Sequence, residues 1–289
     1  MGRECRTLGG MQVLGLIAGN GRYPFETVAG ARRRGVERVV LAAFEGETRA
    51  DLAAAVDEVA WFRVGQLGKM IRYFRSAGVE NAVMAGQISP RNLFDLRPDM
   101  RTLLMLGRLR TRQAETIFAA IADELGKDGI TLLPATTFME DSLAAEGVVA
   151  GPGLRRRDRE DARRALRVAA AVAALDIGQS LVIRQGTVLA VEAFEGTNEC
   201  MKRGGALGKG KALLIKVSKP GQDFRFDVPV VGAETVRTAA ACGIVGMMVE
   251  AGRTLILERE EVAALCQSHA ITIEAAAVPP AAGNSKTTT

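Results

Sequence analysis

The sequence predicts an α/β protein in two parts: an N-terminal Rossmann-like domain on a parallel sheet and a C-terminal α/β domain on a mixed sheet, joined by a short linker. Three observations carry this. In the first half, short apolar runs alternate with helical patterns, as strands joined by crossover helices do. A Gly-rich break with a charge run, EGVVAGPGLRRRD, stands at 146–158. Beyond it, SLVIRQGTVLAVEAF at 180–194 reads as two apolar runs around Gln185 and Gly186, which is a hairpin. The expected parts are an extension at 1–10, the first domain at 11–150, the second at 151–277 and a polar, disordered tail at 278–289. Two domains also suit a length of 289 residues, which is long for one core.

MQVLGLIA at 11–18 is a buried strand, and AGNGRYP is a turn into a helix that runs to about Arg34. VERVVLAAF, EVAWFRV and NAVMAGQI repeat the strand pattern, with QLGKMIRYFRSAG as a crossover helix. Helices are expected around 97–109 and 113–125, followed by a strand at ITLLPAT. After the break, 158–178 reads as a helix with Asp158 as N-cap and Gly178 just past its end. KALLIKVSK, GIVGMMVEAG and RTLILE add strands, and REEVAALCQSHA adds a late helix.

Composition narrows the chemistry. With 48% hydrophobic and 25% charged residues, the chain has a soluble, globular make-up. Aromatics are only 4%, too few for a base-stacking platform, and the net charge of +5 is a mild excess that suits an anionic small molecule or an acidic membrane surface as well as nucleic acid. Cys5, Cys200, Cys242 and Cys266 have no metal-type spacing, so a reduced, cytoplasmic protein is expected. His269 is the only histidine, which removes Ser-His-Asp triads and His-rich metal centres. Carboxylates, lysines and arginines must therefore carry any catalysis. No leader peptide and no membrane-spanning stretch is recognisable.

Several strand ends carry candidate residues. Gly15, Gly19 and Gly21 in GLIAGNG follow the first strand and open a helix, either as a phosphate-binding turn or as a tight connection. Gln66 with Lys69, and Gly86 and Gln87 with Arg91, follow later strands, as readers of a base, sugar or phosphate or as caps and solvated loop groups. Glu192 lies in an apolar strand with Glu195 just beyond it; a charge there is either paired, metal-bound or turned to water. Lys216 and Lys219 lead into DFRFDVP. If that segment is a strand, Asp223, Arg225 and Asp227 share one face at about 7 Å spacing, with Phe224 and Phe226 on the other. Such a row is either a surface charge ladder or two carboxylates that flank a cation.

GLIAGNGRYP, the GQLGK and AGQI turns, NLFDLRPD, ALDIGQSLVIRQGTVLAVEAFEGTN and KVSKPGQDFRFDVPVVG, taken in this order, resemble the LpxI type of UDP-2,3-diacylglucosamine pyrophosphatase. The resemblance implies two domains that close over the substrate. It also implies hydrolysis of the pyrophosphate of UDP-2,3-diacylglucosamine to UMP and 2,3-diacylglucosamine 1-phosphate (lipid X), with a divalent cation, usually Mg²⁺. It assigns catalysis to Asp227, Asp223 and Arg225, and metal binding to Asp223, Asp227 and Glu192. Substrate binding falls to Gly19, Asn20, Gly21, Gln66, Leu67, Gly86, Gln87, Thr136, Gln179, Glu195, Gly196, Thr197, Asn198, Lys216, Lys219 and Gln222. The inner-membrane surface and a homodimer are further expected partners; nucleic acid is not. Two departures stand out: Asn198 replaces a common Asp, and Gln113 to Glu115 replace a common GDD. The alternative they raise is a nucleotide-sugar-binding protein without turnover.

Overall fold

The computed structural model describes residues 11–88, 98–111 and 113–279. The 1–10 extension, Cys5, Arg91, most of NLFDLRPD and residues 280–289 of the tail lie outside the described residues. The chain divides into two compact units, one of residues 1–141 with Asp223–Asp227, the other of the remainder.

The first unit follows the predicted alternation. β1 (Val13–Ala18) leads into α1 (Tyr23–Arg33), β2 (Arg38–Phe44), β3 (Glu58–Phe62), α2 (Leu67–Ser76), β4 (Asn81–Ala85), α3 (Met100–Arg108), α4 (Ala114–Lys127) and β5 (Thr131–Leu132). All pairings are parallel, in the order β3-β2-β1-β4-β5. Strands covered on both faces read as continuous apolar runs, and β1 and β2 are buried almost throughout. α2 packs Met70, Ile71 and Phe74 into a core shared with Val40, Ala42 and Leu125.

The second unit opens with β6 (Gly147–Ala150), α5 (Arg156–Ala174), β7 (Ser180–Arg184), β8 (Thr187–Val191) and α6 (Thr197–Gly208). It continues through β9 (Ala212–Lys216), β10 (Val230–Val231), α7 (Ala233–Cys242), β11 (Ile244–Glu250), β12 (Leu255–Ile256), α8 (Arg259–Ser268) and β13 (Thr272–Ala276). Its main sheet runs β6-β13-β11-β9-β7-β8, parallel in the middle and antiparallel at both edges. The hairpin turn is as expected: Gln185 and Gly186 both have positive φ, 49° and 78°, which matches the twist of tight two-residue hairpins.

Three local expectations change. The break between units falls at Asp141 and Ser142, ahead of the expected 150, because 147–150 pairs with β13 as an edge strand. The Gly-rich stretch after it turns a corner inside the unit: a Cβ on Gly151 would sit 2.1 Å from the Ile271 carbonyl oxygen. Asp158 does not cap α5; the helix begins at Arg156, so Asp158 lies in its first turn. There its charge still complements the helix dipole.

Candidate functional site

The second unit gathers polar groups where β7 begins and β8 and β9 end. Glu192, one residue beyond β8, donates its amide to the Ser180 carbonyl at 2.9 Å. Gly178 makes this approach possible, since a Cβ there would lie 2.1 Å from the Glu192 carbonyl oxygen. Thr197, the first residue of α6, donates its hydroxyl to Glu192 Oε1 at 2.9 Å. Lys216 Nζ donates to the same Thr197 hydroxyl at 2.9 Å and approaches Ser180 Oγ at 3.5 Å. Ammonium, hydroxyl and carboxylate thus form a chain. Glu192 Oε2, at its far end, is buried with no hydrogen-bond partner. An orphaned carboxylate oxygen is costly and calls for a donor or cation from outside the protein.

The loop after β9 is fixed from below. Ser218 donates its amide and hydroxyl to Glu250 Oε2 at 2.7 and 2.6 Å, and Arg253 Nε donates to the Ser218 hydroxyl. Lys219 pairs with Asp176, and its amide donates to Gln222 Oε1 at 2.6 Å. Gln222 Nε2 is a second buried group without a partner. Gln179 lies on the same edge, its carbonyl accepting from the Val217 amide.

Glu195 is turned to other work. It pairs with Arg203 and accepts from the Ala193 amide; backbone hydrogen bonding first, then Arg203, holds its carboxyl below the ordinary value. Gly196 takes φ of 85° to start α6, and Asn198 is exposed in its first turn. No element was expected at 197–208, and Gly204, Gly205 and Gly208 are poor helix formers. Packing explains them: a Cβ on Gly204 would come 2.4 Å from Val182 Cβ, and one on Gly205 would come 2.0 Å from the Cys242 carbonyl oxygen.

Asp223–Asp227 belong to the first unit and are not a strand. The predicted alternating face is replaced by a turn, with the Asp227 amide donating to the Asp223 carbonyl at 3.1 Å. The cause is local. Asp223 Oδ1 accepts from the Arg225 amide at 3.0 Å, a side-chain bond that competes with extended pairing, and Gly221 at φ 73° turns the chain beforehand. Phe226 stacks on Phe118 at 5.4 Å, and the Phe224 carbonyl accepts from the Ala135 amide at 2.6 Å. Thr136 follows in the same short turn, where its carbonyl accepts from the Met139 amide.

Asp223 is engaged by Arg225, whose Nε donates to both carboxylate oxygens at 3.0 Å and whose Nη2 donates to Oδ2 at 2.6 Å. This fork is the main cause holding the Asp223 carboxyl below its usual range. Arg225 also lines a cavity of about 500 Å³ with Asp123, Lys127 and Thr131. Asp123, Lys127 and Phe118 were not singled out in the sequence; only the covering of α4 by the 223–227 segment makes them neighbours of Arg225 and Phe226.

The glycine turns are laced to each other. Asn20 and Gln87 exchange backbone hydrogen bonds at 2.7 and 3.2 Å, Gly19 donates to the Ala85 carbonyl, and Gly21 donates to Asn20 Oδ1. These amides are therefore occupied within the protein. The glycines serve close approach: a Cβ on Gly19 would lie 2.5 Å from the Gln87 carbonyl oxygen, and one on Gly86 would lie 2.5 Å from that of Asn20. Gln66 accepts from the Arg63 amide and Leu67 is buried, its amide donating to Thr102 Oγ1. Both shape the start of α2.

Of the expected metal ligands, Asp223 and Asp227 lie in the first unit and Glu192 in the second, and Asp223 is engaged by Arg225; among the described residues no group of three or more His, Cys, Asp or Glu side chains that could hold a metal ion is found. Glu192 Oε2 is the one carboxylate oxygen of that set shown buried and without a partner.

Residues 13–142 match the family model described as the LpxI N-terminal domain, and residues 145–274 match the LpxI C-terminal domain. The chain belongs to the LpxI family. A LpxI relative from Caulobacter vibrioides, named UDP-2,3-diacylglucosamine pyrophosphatase LpxI, is 32% identical over 267 residues, covering 88% of this chain and 94% of the relative. Among solved structures, the biotin carboxylase subunit of pyruvate carboxylase overlaps 58% of this chain and 34% of its own at 15% identity and a TM-score of 0.27, too low to bear on the fold or function of this LpxI chain. The LpxI domain boundary, between 142 and 145, agrees with the division into two units.

Proposed function

We propose that this protein hydrolyses the pyrophosphate bond of UDP-2,3-diacylglucosamine, with water as the second substrate, to give UMP and 2,3-diacylglucosamine 1-phosphate in lipid A biosynthesis. The observation that supports it is the match to both LpxI domains in order, together with a relative of that name covered over 94% of its length. Each unit has groups suited to the chemistry. Lys216 supplies a fixed positive charge for a phosphate oxygen, and Thr197 holds Lys216 and Glu192 in register. Glu192 Oε2 is left to accept from a sugar or ribose hydroxyl, or to face a cation. Arg225, held by Asp223, offers its remaining N–H groups to developing negative charge, and Asp227 takes the role of orienting the attacking water.

A divalent cation is part of this proposal, and Glu192, whose Oε2 is buried without a partner, is the carboxylate that would help hold it. When bound it would neutralise charge on the bridging phosphates. Purified protein incubated with UDP-2,3-diacylglucosamine and Mg²⁺ should release UMP and lipid X in equal amounts, and EDTA should stop the release. Absence of UMP under conditions where the substrate still binds would favour the alternative, a nucleotide-sugar-binding protein in which Asn198 and Gln113 to Glu115 mark lost turnover.

A further inference from the structure

One corner of the second unit exposes large apolar side chains beside an arginine-rich helix face. Phe194 is fully exposed, Leu175 is 72% exposed and Ile177 is 48% exposed. Leu175 and Ile177 follow the end of α5, and Phe194 follows Glu192. The Gly178–Glu192 backbone contact brings these two loops side by side. Scattered surface leucines are ordinary, but here two neighbouring loops leave a phenylalanine and two aliphatic side chains uncovered, and the acid between the latter two, Asp176, is paired with Lys219.

The helix that ends at this patch carries the charge. Arg156, Arg157, Arg163, Arg164 and Arg167 of α5 are exposed, against one exposed acid, Glu160. Glu160 and Asp161 offset Arg156 and Arg164, so Arg157, Arg163 and Arg167 carry the excess. Val168, one residue past Arg167, is 44% exposed and continues the outer face towards Leu175. A basic stripe that runs into apolar anchors is the pattern of a surface resting on anionic lipid, with arginines at the headgroups and apolar tips in the acyl boundary. Nucleic acid would meet the arginines equally well but gives no role to exposed Leu175 and Ile177.

We propose that this corner, formed by the outer face of α5 with Leu175, Ile177 and Phe194, docks the protein reversibly on an anionic bilayer. Neither half suffices alone, since a few surface cations and a few shallow apolar contacts each give only weak binding. Among the described residues no helix is long and apolar enough to cross a membrane, so the contact is from the side. The proposal stands on exposure and charge and does not depend on the hydrolytic reading.

The full chain should sediment with phosphatidylglycerol-containing vesicles and stay in the supernatant with pure phosphatidylcholine. Raising the salt to 0.5 M should release it, because screening shortens to about 4 Å. Leu175→Ser/Ile177→Ser/Phe194→Ser and, separately, Arg163→Glu/Arg167→Glu should each lower vesicle partitioning about tenfold or more, with unchanged circular dichroism and melting temperature. No binding to anionic vesicles, binding that neither variant changes, or preferential binding of single-stranded RNA that the apolar variant leaves intact would each overturn the proposal. Hydrolysis of substrate dispersed in detergent, measured alongside, reports separately on the activity.

Discussion

Arg225 closes a fork on Asp223 two residues away, with three side-chain hydrogen bonds, and the same carboxylate accepts the Arg225 amide. One consequence is a division of labour within the segment. On the proposed function, Asp223 positions a guanidinium and the role of orienting the water falls to Asp227. Asp223→Asn should lower turnover about tenfold by loosening Arg225, and Arg225→Lys should lower it by a similar factor because an ammonium cannot make the fork. Turnover of the double variant should match that of Arg225→Lys alone; additive losses would show that Asp223 acts independently. Both side chains are partly exposed, so the cost in stability is about 1 kcal/mol or less. The fork depresses the Asp223 carboxyl, so its contribution is present at neutral pH and is lost as pH falls through the lowered value.

Glu192→Gln preserves the shape of the Thr197 contact but removes the charge from the buried, unpartnered oxygen. Turnover should fall about a hundredfold or more while the melting temperature stays within about 2 °C. Thr197→Val, which cuts the link between Lys216 and Glu192, should give a smaller loss. Steady-state kinetics on folded variants checks both; unaltered kcat in Glu192→Gln would remove Glu192 from the chemistry.

Gly19→Ala should destabilise the first unit by about 1–3 kcal/mol, because the added Cβ meets the Gln87 carbonyl rather than a flexible side chain. Gly21→Ala meets no atom within 4 Å but must hold φ at 94°, so it costs about 1 kcal/mol. Urea unfolding distinguishes the two: a larger effect at Gly21 would mean that strain, not the close approach, governs this turn.

Glu274, on β13, is buried and accepts two hydrogen bonds from Arg159 at 2.7 Å and one from the Leu154 amide at 2.8 Å. Burial pushes its carboxyl up, but the Arg159 fork and the amide outweigh it and hold it below the ordinary value. Arg159→Met leaves that acid uncompensated and should lower stability at pH 7. A depressed carboxyl stabilises above its unfolded value of about 4.3 and loses that contribution as pH falls through the folded one. The gap between wild type and Arg159→Met, measured by denaturant unfolding, should therefore shrink below about pH 4; a gap that persists would mean the loss is one of packing.

Much of the fold was legible because the strands of the first unit are buried on both faces, so β1, β2 and β4 appear as unbroken apolar runs with glycine turns after them. The Gln185-Gly186 hairpin was legible because its turn chemistry is local. The helix α6 was not, since its glycines are set by contacts with Val182 and Cys242 that no local propensity reports. The residues of the candidate site were largely visible as types at strand ends, but Ser180 and Asp176, which complete the polar edge, carried no distinguishing signal.

The sequence by itself determined the alternation of strand and helix, the family, and a chemistry without histidine, because these rest on composition, local period and motif. The tertiary structure decided what the charged residues do. Asp223, Arg225 and Asp227 stand every second residue in the chain, yet a side-chain hydrogen bond to the backbone curls them into a turn and joins two of them. Glu192 and Lys216 lie far apart in sequence, and antiparallel pairing of β7 with β8 and with β9 brings them to one hydroxyl. Partner choice among charges depends on distances between strands that no window of sequence contains.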